Sequence, residues 1–118
     1  MTKLIVLDSE GDGLAYECTK LHNLCTTQDG KDFFYTTDYD EMREELLSAD
    51  LLVCHNVVCH DIVTFKRILG IDIPYTKCVD TLAISWHLYP DRPKHGLESW
   101  GETVGIKKVY VGEDEWST

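Results

Sequence analysis

The sequence predicts an α/β protein with a mixed sheet, in which three antiparallel strands are followed by alternating helices and strands. Apolar and polar residues alternate with a period of two over the first 27 residues, which is typical of strands with one buried face. Beyond residue 38 the apolar spacing becomes helical, and one continuous apolar run of strand length interrupts it at Leu51–Cys54. A chain of 118 residues is long enough for one hydrophobic core, so we expect a single domain over 1–118.

The amino-terminal half is expected to supply most of the strands. Alternation predicts strands at about 3–9, 13–18 and 20–27. Asp29-Gly30 is a strong hairpin signal, and Phe33–Tyr35 is the expected returning strand. These strands would form an antiparallel unit at the start of the sheet.

Helices are expected in the remainder of the chain. Apolar spacing predicts a short helix over Asp40–Ser48, capped by Asp38 or Asp40 itself. A second helix is predicted over Ile62–Leu69 and would end at Gly70. Two more are expected at about 81–88 and 97–104. Leu97 and Trp100 have helical spacing, so we expect both to pack in the core against the helix at 61–69.

The composition describes an acidic globular protein. A hydrophobic content of 43% argues against general disorder, and no apolar run approaches the roughly 18 residues that span a membrane. The five cysteines are an odd number without framework spacing, which favours free thiols in the cytosol. The formal net charge of −10 excludes tight binding of duplex nucleic acid by charge alone.

Three carboxylates mark the candidate site. Asp8 and Glu10 follow the apolar run Leu4–Leu7, and residues two apart on a strand share one face. Asp61 closes the stretch His55–Asp61 that follows the second apolar strand. Carboxylates are the ligands that Mg²⁺ prefers, and paired divalent ions stabilise phosphoryl displacement. The residues therefore indicate a metal-dependent nuclease.

The ordered motifs resemble the DEDD superfamily of 3′–5′ exonucleases, which have an RNase H-like fold. The resemblance is greatest to the proofreading domain of phage T7-type family A DNA polymerases. Five stretches carry it, in the family's order: Asp8–Glu10, Lys20–Leu24, Val53–Asp61, Cys78–Leu82 and His95–Gly101 with Gly105. The resemblance implies a two-metal-ion exonuclease, using Mg²⁺ or Mn²⁺, that acts on single-stranded DNA 3′ ends in a phage-infected or bacterial cytoplasm.

The resemblance also implies a role for individual residues. Asp8, Glu10 and Asp61 would be the catalytic metal ligands. Leu14 would wedge against the terminal base and Asn56 would lie beside the substrate, whereas Leu14 by its sequence alone fits an ordinary core leucine equally well. Asp80 and His55 would orient the metal ligands without binding the ion themselves. His55 also fits a partly buried histidine whose hydrogen bonds are made within the protein. His60 takes the place of an aromatic residue in many relatives.

The sequence departs from the family at its end. The family has a fourth carboxylate on a late helix, four residues after a Tyr or His that orients the attacking water, and the sequence is expected to stop before that helix. The acidic residues Glu113, Asp114 and Glu115 lack this setting. We therefore expect weak activity alone, and a polymerase or a carboxy-terminal exonuclease fragment as the partner that completes the domain.

Three other interpretations remain open. An inactive relative that became a binding or regulatory module fits the short length and the negative charge. An acidic mimic of DNA has only the charge in its favour. A zinc site is suggested by Cys54-His55, Cys59-His60 and Cys78, although their spacing matches no common structural zinc pattern.

Overall fold

The computed structural model describes residues 2–106 and shows a five-stranded mixed sheet in the order β3-β2-β1-β4-β5. The strands are β1 (Leu4–Gly11), β2 (Leu21–Thr27), β3 (Phe33–Thr36), β4 (Leu51–Cys54) and β5 (Cys78–Asp80). The first three strands pair in antiparallel fashion, whereas β4 and β5 join parallel to β1 and to each other. The expected α/β fold with three antiparallel strands is therefore confirmed.

Helices connect the later strands. Helix α1 (Tyr39–Ser48) begins at Asp38, whose carboxylate accepts a hydrogen bond from the Glu41 amide and so caps the helix. Residues 57–69 form one continuous helical segment, which we call the central helix. It contains a π-helical part (Val57–Asp61), a short α-helical part α2 (Ile62–Thr64) and a second π-helical part (Phe65–Leu69). A 3₁₀ turn (Tyr75–Lys77) precedes β5, and α3 (Thr81–Leu88) and α4 (Leu97–Val104) complete the described chain.

The core lies on one face of the sheet. Ile5 and Leu7 of β1 point to this face, and Leu52 of β4 joins them from the neighbouring strand. Met42 and Leu46 of α1 are buried against it, as is Phe65 of the central helix. Helices therefore cover this side of the sheet and remove its apolar side chains from water.

The opposite face, which we call the open face, carries the alternate residues of the same strands. Val6 is 43% exposed and Phe33 is 64% exposed, although both are apolar. The paired positions Asp8 and Cys25 share this face, because residues directly opposite each other in an antiparallel pair point the same way. An acidic strand end thus lies beside exposed apolar surface. In the described part of the chain, no helix has the length and apolarity needed to cross a bilayer.

The predicted strand at 13–18 is wrong, because these residues form a tight loop. The Asp12 carboxylate accepts hydrogen bonds from the backbone amides of Thr19 and Lys20, at 2.7 and 3.1 Å, and from the Thr19 hydroxyl. Those bonds hold the pKa of Asp12 well below its usual range. Gly11 permits the close return of the chain, since a Cβ there would lie 2.6 Å from the Cys18 sulfur. Side-chain hydrogen bonds thus override the alternating pattern.

The predicted burial of Leu97 and Trp100 in the core is also wrong. Leu97 is 64% exposed. The Trp100 indole donates a hydrogen bond to the Ser85 hydroxyl at 2.7 Å, and the Arg92 guanidinium lies 3.8 Å from its ring centroid. Helix α4 packs through Trp100 on α3 and on the loop between α3 and α4. The spacing of Leu97 and Trp100 therefore predicted the helix correctly but not the element against which it packs.

Candidate functional site

A groove of about 410 Å³ lies at the carboxyl end of β1, where β4 also ends. We call it the site groove. Asp8 and Asp61 line it together, and His60 and Leu97 contribute to its wall. The remaining lining residues come mainly from the open face and from the ends of the strands: Val6, Leu7, Ser9, Cys25, Thr26, Thr27, Phe33, Cys54 and His55. The structure therefore brings two of the three predicted carboxylates into one groove, 53 residues apart in the sequence.

Asp61 is held in place by two buried hydrogen bonds. The Ser9 hydroxyl donates to its Oδ1 at 2.8 Å, and the Cys54 thiol donates to its Oδ2 at 3.2 Å. Asp61 is only 5% exposed. Burial raises the pKa of the Cys54 thiol, and the charge of Asp61 raises it further, so the sulfur keeps the proton that it donates. These two donors fix the orientation of a buried carboxylate.

Asp8 lies close to two other carboxylates. Partial burial raises the pKa of its carboxyl group, and the negative charges of Glu10 and Asp61 raise it further. Glu10 shares the strand face of Asp8, two residues along, but it does not line the site groove. The three acidic side chains thus form a patch of concentrated negative charge, which a bound cation would relieve.

Asp80 organises the backbone that leads to Asp61. Its carboxylate accepts hydrogen bonds from the amides of Asn56 at 2.9 Å and Val58 at 3.2 Å, and it caps α3 through the Leu82 amide at 3.0 Å. Asn56 adopts a left-handed conformation with φ 66°, which an asparagine tolerates better than most residues. Asp80 therefore sets the turn between β4 and the central helix, through the backbone rather than by contact with a metal-ligand side chain.

The predicted supporting residue His55 is satisfied by neighbouring groups. Its Nε2 donates to the His95 carbonyl at 2.7 Å, because a carbonyl only accepts, and its Nδ1 lies 2.9 Å from the Thr81 hydroxyl. His60 lies nearer the acidic patch, with its Nδ1 3.8 Å from Asp61 Oδ1. Both histidines line the site groove, and His55 also joins the turn after β4 to the α3–α4 region.

Leu14 stands at the rim of the loop between β1 and β2. It is 72% exposed, which excludes the alternative interpretation as an ordinary core leucine. Its carbonyl accepts hydrogen bonds from the amides of Glu17 and Cys18 at 2.8 and 2.7 Å, so the loop holds its backbone in a defined turn. An exposed apolar side chain on a fixed loop is suited to contact a flat apolar group.

The donor set fits a hard divalent ion better than zinc. Mg²⁺ is commonly bound by one or two carboxylates, with water and substrate phosphate completing its coordination, and Asp8 with Asp61 supplies such a pair. Within residues 2–106, no group of three His, Cys, Asp or Glu side chains is arranged to hold a metal by itself. The Cys54, Cys59 and Cys78 zinc interpretation therefore has no support in the described structure, and these thiols are free.

Sequence reasoning missed Ser9 and Cys54 as partners of Asp61. The sequence did carry a signal for Ser9, which lies on the buried face of β1 with Ile5 and Leu7. A polar side chain at a buried position needs a hydrogen-bond partner. Cys54 gave no such signal, because a cysteine at the end of an apolar strand is typical of core packing.

Comparison with solved structures shows what this fold is similar to. NrnC from Brucella melitensis gives a TM-score of 0.75 at 13% sequence identity, covering 100% of this chain and 60% of that chain. NrnC with bound Mg²⁺ gives a TM-score of 0.73 at 13% identity, covering 95% of this chain and 58% of the other. NrnC bound to pGG gives 0.74 at 12% identity, with 100% and 60% covered. The apo form of a nuclease gives 0.71 at 16% identity, with 98% and 59% covered.

These likenesses concern the fold. The chain spans about three fifths of the length of the nucleases it matches. No family model matches the sequence, and no curated protein is significantly similar to it. This chain is an α/β protein with a mixed five-stranded sheet and helices, and its fold is similar to that of NrnC and of the second nuclease.

Proposed function

We propose that this chain carries a divalent-metal-dependent nuclease site that removes nucleotides from the 3′ ends of single strands. One observation carries the proposal: Asp8 and Asp61 line the same groove at the carboxyl ends of β1 and β4, in a fold shared with nucleases. NrnC, one of those nucleases, has been solved with Mg²⁺ and with pGG. Binding of a divalent ion and of a short single strand is therefore the function that the groove fits best.

The chain's own residues account for binding and orientation. Asp8 and Asp61, with Glu10 beside them, would hold Mg²⁺ or Mn²⁺, and two bound ions would activate water and neutralise charge on the phosphate. Ser9 and Cys54 keep the Asp61 carboxylate at its position in the groove. Leu14 and Asn56 are proposed to contact the terminal nucleotide, with Leu14 packing against its base.

A DNA substrate and a role in proofreading within a phage replication system are the more specific proposal. They rest on the T7-type motif resemblance, and RNA is the alternative substrate. The open face suggests where a polymerase or a carboxy-terminal exonuclease fragment would bind, since Val6 and Phe33 leave apolar surface next to Asp8. A helix that covers this surface would reach the groove from the side opposite the core.

The proposal is tested by digestion of a 5′-labelled single strand in Mg²⁺, with products resolved by length. We expect very weak shortening from the 3′ end by the chain alone. Adding a polypeptide that carries the expected helix, with its Tyr or His and its fourth carboxylate, should raise the rate by at least about 10²-fold, which is typical of a general base. Asp8→Ala should abolish the restored activity.

The matched control is Asp91→Ala, which removes an exposed carboxylate outside the site groove and should leave the rate unchanged. Robust digestion by the Asp8→Ala variant would contradict the proposal. Strong digestion by the unaided chain would show that its own residues complete the site. Shortening from the 5′ end would contradict the proposed direction.

A binding module without catalysis is the second candidate. It is favoured by the finding that no three metal-ligating side chains in residues 2–106 converge to hold an ion. It predicts that the chain binds a single strand or a protein partner, and that no complementing polypeptide produces metal-dependent digestion.

A further inference from the structure

A second groove lies on the helix-covered side of the sheet, apart from the site groove. It measures about 640 Å³, within the range of roughly 300–1,000 Å³ that is usual for small-molecule sites. We call it the helix-side groove. Its lining residues come from the central helix, the loop before β2 and the segment before β5: Tyr16, Ile62, Val63, Lys66, Arg67, Asp72, Ile73, Pro74 and Tyr75.

Two tyrosine rings of this groove are presented to solvent. Tyr16 is 78% exposed and Tyr75 is 68% exposed, although they lie far apart in the sequence. Exposed aromatic rings are the usual platforms on which the bases of a single strand stack, and removing one weakens binding by about 5- to 150-fold. The apolar groove between the rings, with Ile73 and Pro74, suits the flat face of a nucleobase.

Two basic side chains border the same groove in a chain with only 11 lysines and arginines against 21 acidic residues. Lys66 Nζ lies 3.2 Å from Asp72 Oδ1, and both side chains are largely exposed, so this ion pair is weak and exchanges readily. Arg67 donates one hydrogen bond to the Ala15 carbonyl at 2.9 Å, and a guanidinium carries five N–H donors. Both residues can therefore engage a phosphate.

The helix-side groove and the candidate active site share the central helix and lie beside the loop between β1 and β2. Asp61 and Lys66 belong to the same central helix and are five residues apart, a rise of roughly 7 Å along a helix. Leu14 and Tyr16 belong to the same loop, whose Ala15 carbonyl is tied to Arg67. A single strand whose 3′ end lies at Asp8 and Asp61 would follow these shared elements to the helix-side groove.

We propose that the helix-side groove binds an upstream nucleotide of the single strand whose 3′ end enters the site groove. Tyr16 and Tyr75 stack on bases, and Lys66 and Arg67 contact the adjoining phosphate. The inference rests on the proposed nuclease function and adds a substrate-binding site to it. It explains how an acidic chain engages a polyanion: the strand is held by stacking and by two local cations.

The test is fluorescence anisotropy with labelled DNA strands of eight and of two nucleotides, in EDTA so that no strand is digested. Tyr16→Ala and Tyr75→Ala should each weaken binding of the eight-nucleotide strand by about 10-fold and leave the shorter strand unaffected. Tyr35→Ala, an exposed tyrosine of β3 that lines neither groove, is the matched control. Circular dichroism melting verifies that each variant is folded.

Removal of a negative charge gives a second test, in which strand binding should tighten rather than weaken. Asp72→Asn should tighten binding of the longer strand by a few fold, because it releases Lys66 and removes a negative charge next to the phosphate. Asp91→Asn, which removes an equal charge outside both grooves, should change it less. One neutralised phosphate predicts a shallow slope of about −0.7 for log K against log salt, and Lys66→Ala should make it shallower still.

The outcomes separate the inference from the function on which it rests. If the tyrosine variants bind the longer strand as tightly as wild type while wild type digests strands, the inference is overturned and the nuclease proposal survives. If binding depends on Tyr16 and Tyr75 but complemented protein never digests a strand, the groove is supported and the nuclease proposal fails. Absence of any binding by wild type, in EDTA and in Mg²⁺ alike, overturns the inference.

Discussion

At the residue scale, the site depends on the two hydrogen bonds that hold Asp61. Ser9 and Cys54 donate to different oxygens of this buried carboxylate, so loss of either leaves one oxygen buried without its partner. An unsatisfied buried group costs about 1–3 kcal/mol, more than an average hydrogen bond contributes. Positioning of Asp61 and stability of the fold are therefore coupled.

Ser9→Ala should lower the free energy of unfolding by about 1–3 kcal/mol, because Asp61 Oδ1 loses its donor in a buried setting. Urea denaturation measures the change. Ser48→Ala is the control, since Ser48 is exposed on α1 and should cost no more than about 0.5 kcal/mol. Equal effects of the two substitutions would show that the Ser9–Asp61 bond contributes nothing.

Asp8 provides a prediction for the metal-free protein. Its folded-state pKa lies above the usual 3.8, so the folded state holds that proton more tightly than the unfolded chain. The free energy of unfolding therefore falls as the pH rises from 3.8 through the raised pKa of Asp8. It remains lower by that amount at neutral pH. Asp8→Asn should raise the melting temperature at pH 7 by a few degrees, on the order expected for removing a fraction of a kcal/mol of repulsion.

Calorimetry in EDTA measures this shift, and the advantage of the variant should vanish near pH 3, where wild-type Asp8 is also neutral. In the same instrument, Mg²⁺ should stabilise wild type but not the variant. A variant that melts below wild type at pH 7 would mean that Asp8 makes a favourable contact in the metal-free protein.

At the element scale, Asp80 joins three elements. Its carboxylate accepts hydrogen bonds from backbone amides in the turn after β4, in the central helix and at the start of α3. Asp80→Asn replaces one accepting oxygen by a donor, so at least one of these amides loses its partner. We expect a loss of about 1–3 kcal/mol in unfolding free energy, measured by urea denaturation.

The control for Asp80 is Asp38→Asn at the start of α1. Asp38 accepts one amide, from Glu41, and asparagine caps a helix about as well as aspartate does. The control should therefore be nearly neutral. If both variants were equally stable, Asp80 would be no more than an ordinary helix cap.

The elements also show how far the sequence predicts this fold. Period and length were sufficient for β1, β4 and α1, because their buried faces repeat at regular intervals, as at Ile5 and Leu7 of β1. The ranges of α3 and α4 were also predicted, although neither helix has a fully buried apolar residue. The loop after Gly11 was not predictable from alternation, since hydrogen bonds to Asp12 from residues seven and eight positions away determine it. The short strand β5 was missed because its three residues pair only with β4 and show no period.

The candidate site was predictable to a similar degree. Motif order identified Asp8 and Asp61, which the fold brings into one groove. The hydrogen bonds from Ser9 and Cys54 to Asp61 were not predictable, because they depend on how the elements pack. The same holds for the exposure of Leu97. Packing of α4 through Trp100 on Ser85 and Arg92 is set by polar contacts, which hydrophobic spacing does not encode.

Arg92 is the residue that tests this packing of α4. Its guanidinium donates to the carbonyl and the hydroxyl of Ser99 at 2.9 and 3.1 Å and to the Thr103 hydroxyl at 2.6 Å, while lying over Trp100. Lysine cannot reproduce this fork, so Arg92→Lys should cost about 1–2 kcal/mol in urea denaturation. An unchanged midpoint would show that α4 is held by other contacts.

At the scale of the whole molecule, the sheet is covered by helices on one side and leaves apolar and acidic groups on the other. The acidic patch of Asp8, Glu10 and Asp61 is part of a formal net charge of −10, so a bound divalent cation would lower repulsion both within the protein and toward a nucleic acid. Metal binding and strand binding are expected to depend on each other for this reason.

A crystal grown with Mn²⁺ and measured at its absorption edge tests most directly whether Asp8 and Asp61 bind a divalent ion. We expect an anomalous peak in the site groove, with carboxylate oxygens of Asp8 and Asp61 at roughly 2.0–2.6 Å from the ion, and loss of that peak in Asp8→Asn. A well-ordered crystal with the ion bound elsewhere, or with no ion in the groove, would contradict it.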